Sequence, residues 1–528
     1  MSQRVLVTEE LADRGLDHMR AAGLDVDVQL GLSPDELVAT VPGAAALVIR
    51  SATQVTAEVL AAATDLVVVG RAGIGLDNVD VAAATERGVM VVNAPQSNVI
   101  SAAEQAVALL LAQARNIPQA DRDLKAGKWN RSRWTGVELH GKTLGVVGLG
   151  RVGVLVAQRC LAFGMRLVAY DPYVSAERAR QLGVELEPDL TKLVATVDFL
   201  TIHLPKTPET LGLFDAKLLA QAKPGLRIVN TARGGIIDEA ALADALRDGT
   251  VAGAAIDVFA TEPTTESPLF DLENIVVTPH LGASTAEAQD KAGQTIAEMV
   301  VLGLAGEFVP FAVNLAASEA NATVAPFLPL VERLGQLFTG LAGGLVDTLE
   351  VSFEGQIADY DCKVLTLAAL KGVLGPMVDQ PVSFVNAPAI AAEHGLEVRE
   401  SKLAATHDYV NLVELRGTFG SRSTHVAGTL YGTQGSLRIV GIDDHVIDVP
   451  PSAHMLVVRN SDVPGIIGKV GMILGDATIN IDDMVVGRTN SGQAALMALS
   501  TTTPVTDDVL GTLRAQDGIT EARAIELG

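Results

Sequence analysis

The chain has 528 residues, 48% of them hydrophobic and 19% charged, with 63 acidic against 39 basic side chains and a formal charge of −24. That length accommodates about three or four domains with sizeable cores, and the acidic balance excludes nucleic acid or an anionic membrane surface as the main partner. The N-terminus MSQRVLVTEE has no apolar signal core, no apolar run suffices to cross a bilayer, and Cys160 and Cys362 stand far apart in no metal-ligand spacing, so a cytoplasmic protein without disulfides or metal is expected.

The chain opens with a β–α rhythm. Val5-Leu6-Val7, Leu47-Val48-Ile49 and Leu66-Val67-Val68-Val69 read as short buried strands, and Glu9–Ala22 is amphipathic. Apolar strands separated by helices imply a parallel sheet covered on both faces. Glu104–Ala114 is an apolar helix. A second series starts at Thr143, with strands predicted at Leu144–Val147, Arg166–Ala169, Phe199–Ile202, Arg227–Val229, Gly253–Ile256 and Ile275–Val277. A long helix is expected from Thr285 to Leu304, and VPFAVN then returns extended chain near residue 310. This pattern implies a discontinuous first domain, residues 1–98 and 282–315, enclosing a second, 99–281. Residues 316–451 form a further α/β domain, rich in β-branched residues and Gly-rich turns and ending at Pro450-Pro451. Residues 452–528 run strand, helix, strand, strand, helix, strand, a βαββαβ module.

The strongest motif is VVGLGRVG, which places Gly148, Gly150 and Gly153 as G-x-G-x-x-G between a strand and a helix. Its glycines permit a tight turn and let backbone N–H groups approach a pyrophosphate at the helix N-terminus. The next strand ends at Asp171, 18 residues beyond Gly153, close to the roughly 20 expected for an acid that binds the ribose hydroxyls. A carboxylate there repels a 2′-phosphate, so NAD is expected over NADP. Arg233 in NTARGG, Glu262 in DVFATEP and His280 in TPHLGAST follow three successive strands of one sheet, where ligands bind. Arginine suits a carboxylate, and an imidazole titrates near neutrality and can pass a proton in both directions. The blander alternatives are a structural salt bridge, a solvated loop carboxylate and a turn histidine. Asp257 stands at a strand end where it could face a nicotinamide. Arg50-Ser51 and Arg71-Ala72-Gly73 end strands of the first domain facing the cleft. Arg50 is the stronger phosphate candidate, with Ser51 and Gly73 beside it. The tract KWNRSRW concentrates Lys128, Arg131 and Arg133 between Trp129 and Trp134. Arg422, His425 and Arg438 in the third domain fit β-turn scaffolding better than an effector site.

VVGLGRVG, NTARGGIIDE, AAIDVFATEP and TPHLGAST together resemble the D-2-hydroxyacid dehydrogenase family over residues 1–315, and the trailing domains resemble its long branch with an intervening and an ACT domain. The resemblance implies a Rossmann NAD domain inserted in a flavodoxin-like substrate domain. It implies that Arg233 orients the substrate carboxylate, that His280 is the acid/base, and that Glu262 pairs with it. The expected cofactor contacts are Gly148, Gly150, Arg151, Val152, Gly153 and Asp171, with Thr231, Asp257, His280, Gly282 and Ala283 opposite. The implied reaction is NAD-dependent oxidation of 3-phospho-D-glycerate to 3-phosphooxypyruvate, the entry to L-serine synthesis. The rivals are a glycerate or lactate dehydrogenase and an NAD-sensing scaffold. In related enzymes a basic residue like those of the KWNRSRW tract reaches the neighbouring subunit's site, so Arg131 and Arg133 join the substrate set and a homotetramer or homodimer is expected. ACT domains commonly hold an amino acid between a loop and a partner strand. L-serine is therefore expected at Asn460, Asp462 and Asn480, although related serine sites often carry a ring-bearing residue at the place of Asn460.

Overall fold

Short, mostly apolar strands build the first two sheets, and polar residues end some of them (Arg71, Asn93, Asn230) or directly follow others (Arg50, Asp171, Asp257). The computed structural model describes residues 2–315, 323–380, 382–406, 408–419, 422–432, 435–488 and 494–528. Residue 316, where the third domain is expected to begin, and the Arg422 side chain lie outside the described residues. The first sheet contains β1 (Arg4–Val7), β2 (Asp25–Val28), β3 (Ala46–Ile49), β4 (Val68–Arg71) and β5 (Met90–Asn93), all parallel, in the order β2-β1-β3-β4-β5. That is the flavodoxin-like order. β3 and β5 are buried at every position, as strands covered on both faces must be.

Two departures from the sequence reading affect the site. The strand expected at 66–69 lies at Val68–Arg71, which makes Arg71 its last residue. The helix expected from Glu9 begins at Asp13, leaving Glu9 in the loop after β1. The long helix Ala286–Leu304 is N-capped by Thr285, whose hydroxyl accepts from Ala288 N. It buries Ala292, Ile296 and Val300 against Val48 and Val68 of the first sheet. Beyond it, Ala312 pairs with Val92, and Asn314 accepts from Val91 N, so the returning chain is tied to β5.

The second sheet contains β6 (Thr143–Val147), β7 (Arg166–Tyr170), β8 (Glu185–Leu186), β9 (Phe199–Ile202), β10 (Leu226–Asn230), β11 (Val251–Ile256) and β12 (Ile275–Val277). All are parallel, in the order β12-β11-β10-β9-β6-β7-β8. The order reverses between β6 and β9, which opens a crevice at their C-terminal ends. The α/β class with doubly wound sheets is thus the one the sequence predicts.

The third sheet orders β13 (Thr348–Gly355), β14 (Glu397–Leu403), β15 (Asn411–Phe419), β16 (Arg422–Tyr431), β17 (Ser436–Ile442) and β18 (His445–Val449) as β14-β13-β15-β16-β17-β18. The last four strands form β19 (His454–Ser461), β20 (Ile481–Arg488), β21 (Ala494–Thr501) and β22 (Ile519–Glu526), in the order β20-β21-β19-β22, all antiparallel. With helices Ile466–Asp476 and Asp507–Arg514 they complete the βαββαβ unit. Met455, Val457, Leu496, Ala498 and Ile525 share one core with helix Leu328–Ala342 and the third sheet, so the last two layers are packed together.

Candidate active site

Each candidate side chain is held by the loop that follows its strand. After β10, Asn230 folds the turn: its Oδ1 accepts from Ala232 N at 3.0 Å and its Nδ2 donates to Arg233 O at 3.0 Å. Arg233 thereby reaches toward the first sheet, where Nε stands 3.3 Å from Asp77 Oδ2. After β11, Asp257 is wholly buried. Its carboxylate accepts from the Thr278 hydroxyl, from Leu281 N at 2.8 Å and from Gly282 N at 2.9 Å, and its carbonyl accepts from His280 N at 2.8 Å. These bonds hold His280 at φ 55°, a left-handed conformation costing about 1 kcal/mol in a non-glycine residue. Asp257 thus anchors the histidine turn, and its oxygens are taken up there.

His280 Nδ1 lies 2.6 Å from Glu262 Oε2, and Glu262 Oε1 accepts from Phe259 N at 2.8 Å. Burial pushes the Glu262 carboxyl up. The His280 and Phe259 hydrogen bonds and the charges of His280 and Arg233 outweigh it and hold the group below the usual range. An ionised Glu262 accepts a hydrogen bond from Nδ1–H, which leaves Nε2 as the acceptor at the cleft.

Arg, Glu and His converge on one cleft between the two parallel sheets. A cavity of about 600 Å³ is lined by Arg50, Ser51, Arg71 and Gly73 from one side and by Glu262, His280 and Ala283 from the other. Arg233, beside Asp77, is not among the lining residues, but its charge acts on Glu262 and Arg71, which are. Among the described residues the Arg50 guanidinium has no ion-pair partner, and Arg71 Nε is buried without a hydrogen bond. Burial, then the neighbouring Arg233, lowers the Arg71 pKa to about 10, with Glu9 and Asp77 opposing and Arg50 adding to the fall. Asn98, which also lines the cavity, is absent from the sequence-derived set, whereas Arg71 stands in it as the weaker of the two phosphate candidates. Arg71 shares with Arg50 the signal of ending an apolar strand, whereas nothing in its sequence neighbourhood singles out Asn98.

The glycine turn fits a dinucleotide. Gly148 has φ 95°, and a Cβ there would stand 2.6 Å from His203 O; one on Gly153 would stand 2.0 Å from Gly148 O; one on Gly150 would meet nothing within 4 Å. The turn is therefore closed on its inner side and open at Gly150. The helix Arg151–Ala162 begins there with no side-chain cap, so the N–H groups of Arg151 and Val152 are available to an anion. Asp171 accepts from Leu149 N and Tyr173 N, which fixes its carboxylate beside the turn. Thr231 Oγ1 is buried without a partner, an orphan that a ligand would satisfy.

Some expected residues are not brought to the cleft. Arg133 pairs with Glu273 at 2.6 Å and lies over the Trp134 ring, whose Nε1 donates to Asp123. Arg131 is exposed in the same tract. Neither arginine is among the residues lining the cavity of its own chain. In the third domain Arg416 pairs with Glu414, which also lies 3.4 Å from His425 Nε2, and Arg438 stands 3.7 Å from Asp448, so both arginines have acidic neighbours of their own. At the other end of the chain Asn460 is buried, its Nδ2 donating to Ser461 O and its Oδ1 unpartnered, and Asn480 Nδ2 reaches Asp482 Oδ1 at 3.4 Å.

Comparison with known proteins gives three family matches. The D-isomer specific 2-hydroxyacid dehydrogenase NAD binding domain matches residues 107–282, the D-3-phosphoglycerate dehydrogenase intervening domain 323–443, and the ACT domain 454–518. The chain is 52% identical over 509 residues to the D-3-phosphoglycerate dehydrogenase of Mycobacterium tuberculosis, covering 96% of each. It is 44% identical over 529 residues to that of Archaeoglobus fulgidus, covering 99% of this chain and all of the relative. Among solved structures, D-lactate dehydrogenase from Escherichia coli is similar with a TM-score of 0.52 and 28% identity, over 59% of this chain and all of that one.

Proposed function

The chain belongs to the D-3-phosphoglycerate dehydrogenases of the D-isomer specific 2-hydroxyacid dehydrogenase family, and from that premise we propose how its residues share the work. The reaction is oxidation of 3-phospho-D-glycerate to 3-phosphooxypyruvate. NAD supplies the hydride acceptor, and the open turn at Gly148–Gly153, Asp171 and Thr231 would hold it. His280 Nε2 takes the hydroxyl proton as the C2 hydride departs, and Glu262 stabilises the resulting imidazolium. Arg233 orients the substrate carboxylate with its planar fork. The observation that carries the substrate reading is the pair Arg50 and Arg71. Among the described residues neither forms an ion pair with a carboxylate, and both line the His280 cavity of a chain with 24 excess negative charges. A phosphate supplies what they lack.

A substrate panel followed by NADH absorbance tests this. The expected kcat/KM for 3-phospho-D-glycerate exceeds that for D-glycerate and D-lactate by about 10²-fold or more, the value of a lost anion between two half-buried cations. Equal rates with D-lactate would defeat the phosphate reading.

Asp171 sets the cofactor preference. NAD is favoured over NADP, and Asp171→Ala narrows the ratio of kcat/KM values by about tenfold or more, because a fixed carboxylate no longer opposes a 2′-phosphate. An unmodified protein that used both cofactors equally would remove Asp171 from that role.

L-serine is proposed as the effector of the C-terminal module. The helix Ile466–Asp476 starts at Gly465 with no side-chain cap, which suits an amino acid carboxylate. The orphaned Asn460 Oδ1 suits a donor, and Asp462 an ammonium group. Serine then inhibits by binding the less active conformation more tightly, a coupling of about 1–3 kcal/mol. Titration inhibits the full chain, acts weakly on Asp462→Ala, and leaves a form truncated near residue 315 untouched. Equal inhibition of the truncated form would place the effect at the active site. A cytoplasmic homodimer or homotetramer completes the proposal. Exposed Ile117, Leu124 and Trp129 around the KWNRSRW tract support a subunit contact that light scattering would reveal.

A further inference from the structure

We propose that Glu9 is a positioning residue for phosphate recognition: its carboxylate gathers three backbone N–H groups of the Arg50–Thr53 loop and so aims Arg50 into the cavity. The inference rests on reading Arg50 as a phosphate ligand. Glu9 follows β1, directly beside β3 in the sheet, whose C-terminal loop carries Arg50. Glu9 Oε1 accepts from Arg50 N at 2.8 Å and Thr53 N at 2.9 Å, and Oε2 accepts from Ala52 N at 3.1 Å. The loop's carbonyls are held as firmly: Asn78 Nδ2 donates to Arg50 O at 2.9 Å and Thr53 O at 2.6 Å. The Thr8 and Thr53 hydroxyls stand 2.8 Å apart.

This arrangement has a chemical consequence. Three convergent N–H groups form a concavity that would otherwise receive an anion. Glu9 fills it from within the chain, so phosphate is left to the side chains of Arg50 and Arg71. Burial raises the Glu9 pKa, but the N–H bonds from Thr53, Ala52 and Arg50 prevail and hold it below the usual range. The group is thus a carboxylate at working pH. Its charge also favours the charged form of Arg71 against the effect of burial. Glutamine cannot replace it, because one oxygen would become an NH₂ facing a backbone donor.

The test compares Glu9→Gln, Glu9→Asp and Arg50→Met on the full chain, with 3-phospho-D-glycerate and unphosphorylated D-glycerate. Glu9→Gln is expected to raise KM for the phosphorylated substrate about tenfold, the effect of one lost charge-assisted hydrogen bond, with kcat held within about threefold. Its kcat/KM for D-glycerate and its NADH affinity stay near the unmodified values. Glu9→Asp, which keeps the charge and both oxygens, gives an intermediate KM. If Arg50→Met raises KM and Glu9→Gln does not, the positioning role is overturned while the phosphate reading stands. If Arg50→Met leaves KM unchanged, the phosphate reading fails and this inference with it. A lower KM in Glu9→Gln would make Glu9 a competitor of the substrate, and equal losses on both substrates would make it a general stabiliser; either overturns the proposal.

Discussion

His280→Ala lowers kcat by about 10²–10⁴-fold, the range for a lost general acid/base, while NADH binds with near-normal affinity. The expectation follows from geometry. Nδ1 is committed to Glu262 at 2.6 Å, and Glu262 is oriented in turn by Phe259 N. Nε2 is therefore the nitrogen free to meet the substrate hydroxyl. Glu262→Gln removes the charge that stabilises the imidazolium. The rise of the oxidation rate with pH should move to lower pH, because the cationic form is then less favoured, and the maximal rate should fall. Arg233→Ala chiefly raises KM, since its fork holds the substrate rather than moving a proton. Retention of near-normal kcat in His280→Ala, measured with saturating NAD and 3-phospho-D-glycerate, would take the histidine out of the mechanism.

The residues most legible in the sequence are those whose signal is local. The glycine turn, the strand ending at Asp171 and the three strand-end motifs each lie within a few residues, and their elements stand where the pattern puts them. What escaped depends on distant partners. β2 reads DVDV and is a half-exposed edge strand, so it lacks the apolar run that marks its neighbours. Glu9 looks like the first turn of an amphipathic helix, yet three N–H groups 41 to 44 residues away claim its carboxylate. Arg71 is legible as a strand-end cation, but its weight beside Arg50 shows only when β4 extends to it and Arg50 and Arg233 converge nearby. Arg133 carries the same charge as Arg50, but Glu273 lies 140 residues along the chain and takes it. Composition cannot tell a paired cation from an unpaired one. The packing of the last two layers is hidden for a similar reason. Met455 and Ile525 alternate as in any sheet with one buried face, and nothing local says that the cover is the helix Leu328–Ala342.

Gly153→Ala weakens NADH binding by about 100-fold, on the scale that roughly 1 Å of misplacement costs an aligned site. An added Cβ would stand 2.0 Å from Gly148 O. That oxygen belongs to the turn itself, and Gly148 is closed in from behind by His203 O, 2.6 Å from where its own Cβ would be. No flexible side chain can yield, so the helix Arg151–Ala162 must move off the strand β6. Its uncapped N–H groups move with it. The cost in stability is about 1–3 kcal/mol, as for other overpacked sites, so the variant folds and its affinity can be measured by fluorescence. Gly150→Ala supplies the contrast. Nothing lies within 4 Å of a Cβ there, so its melting temperature stays near that of the unmodified protein. Its NADH affinity nonetheless falls, because that open space is where backbone and pyrophosphate must meet. Stable Gly150→Ala protein with full NADH affinity would move the pyrophosphate off this turn, whatever Gly153→Ala did to the helix.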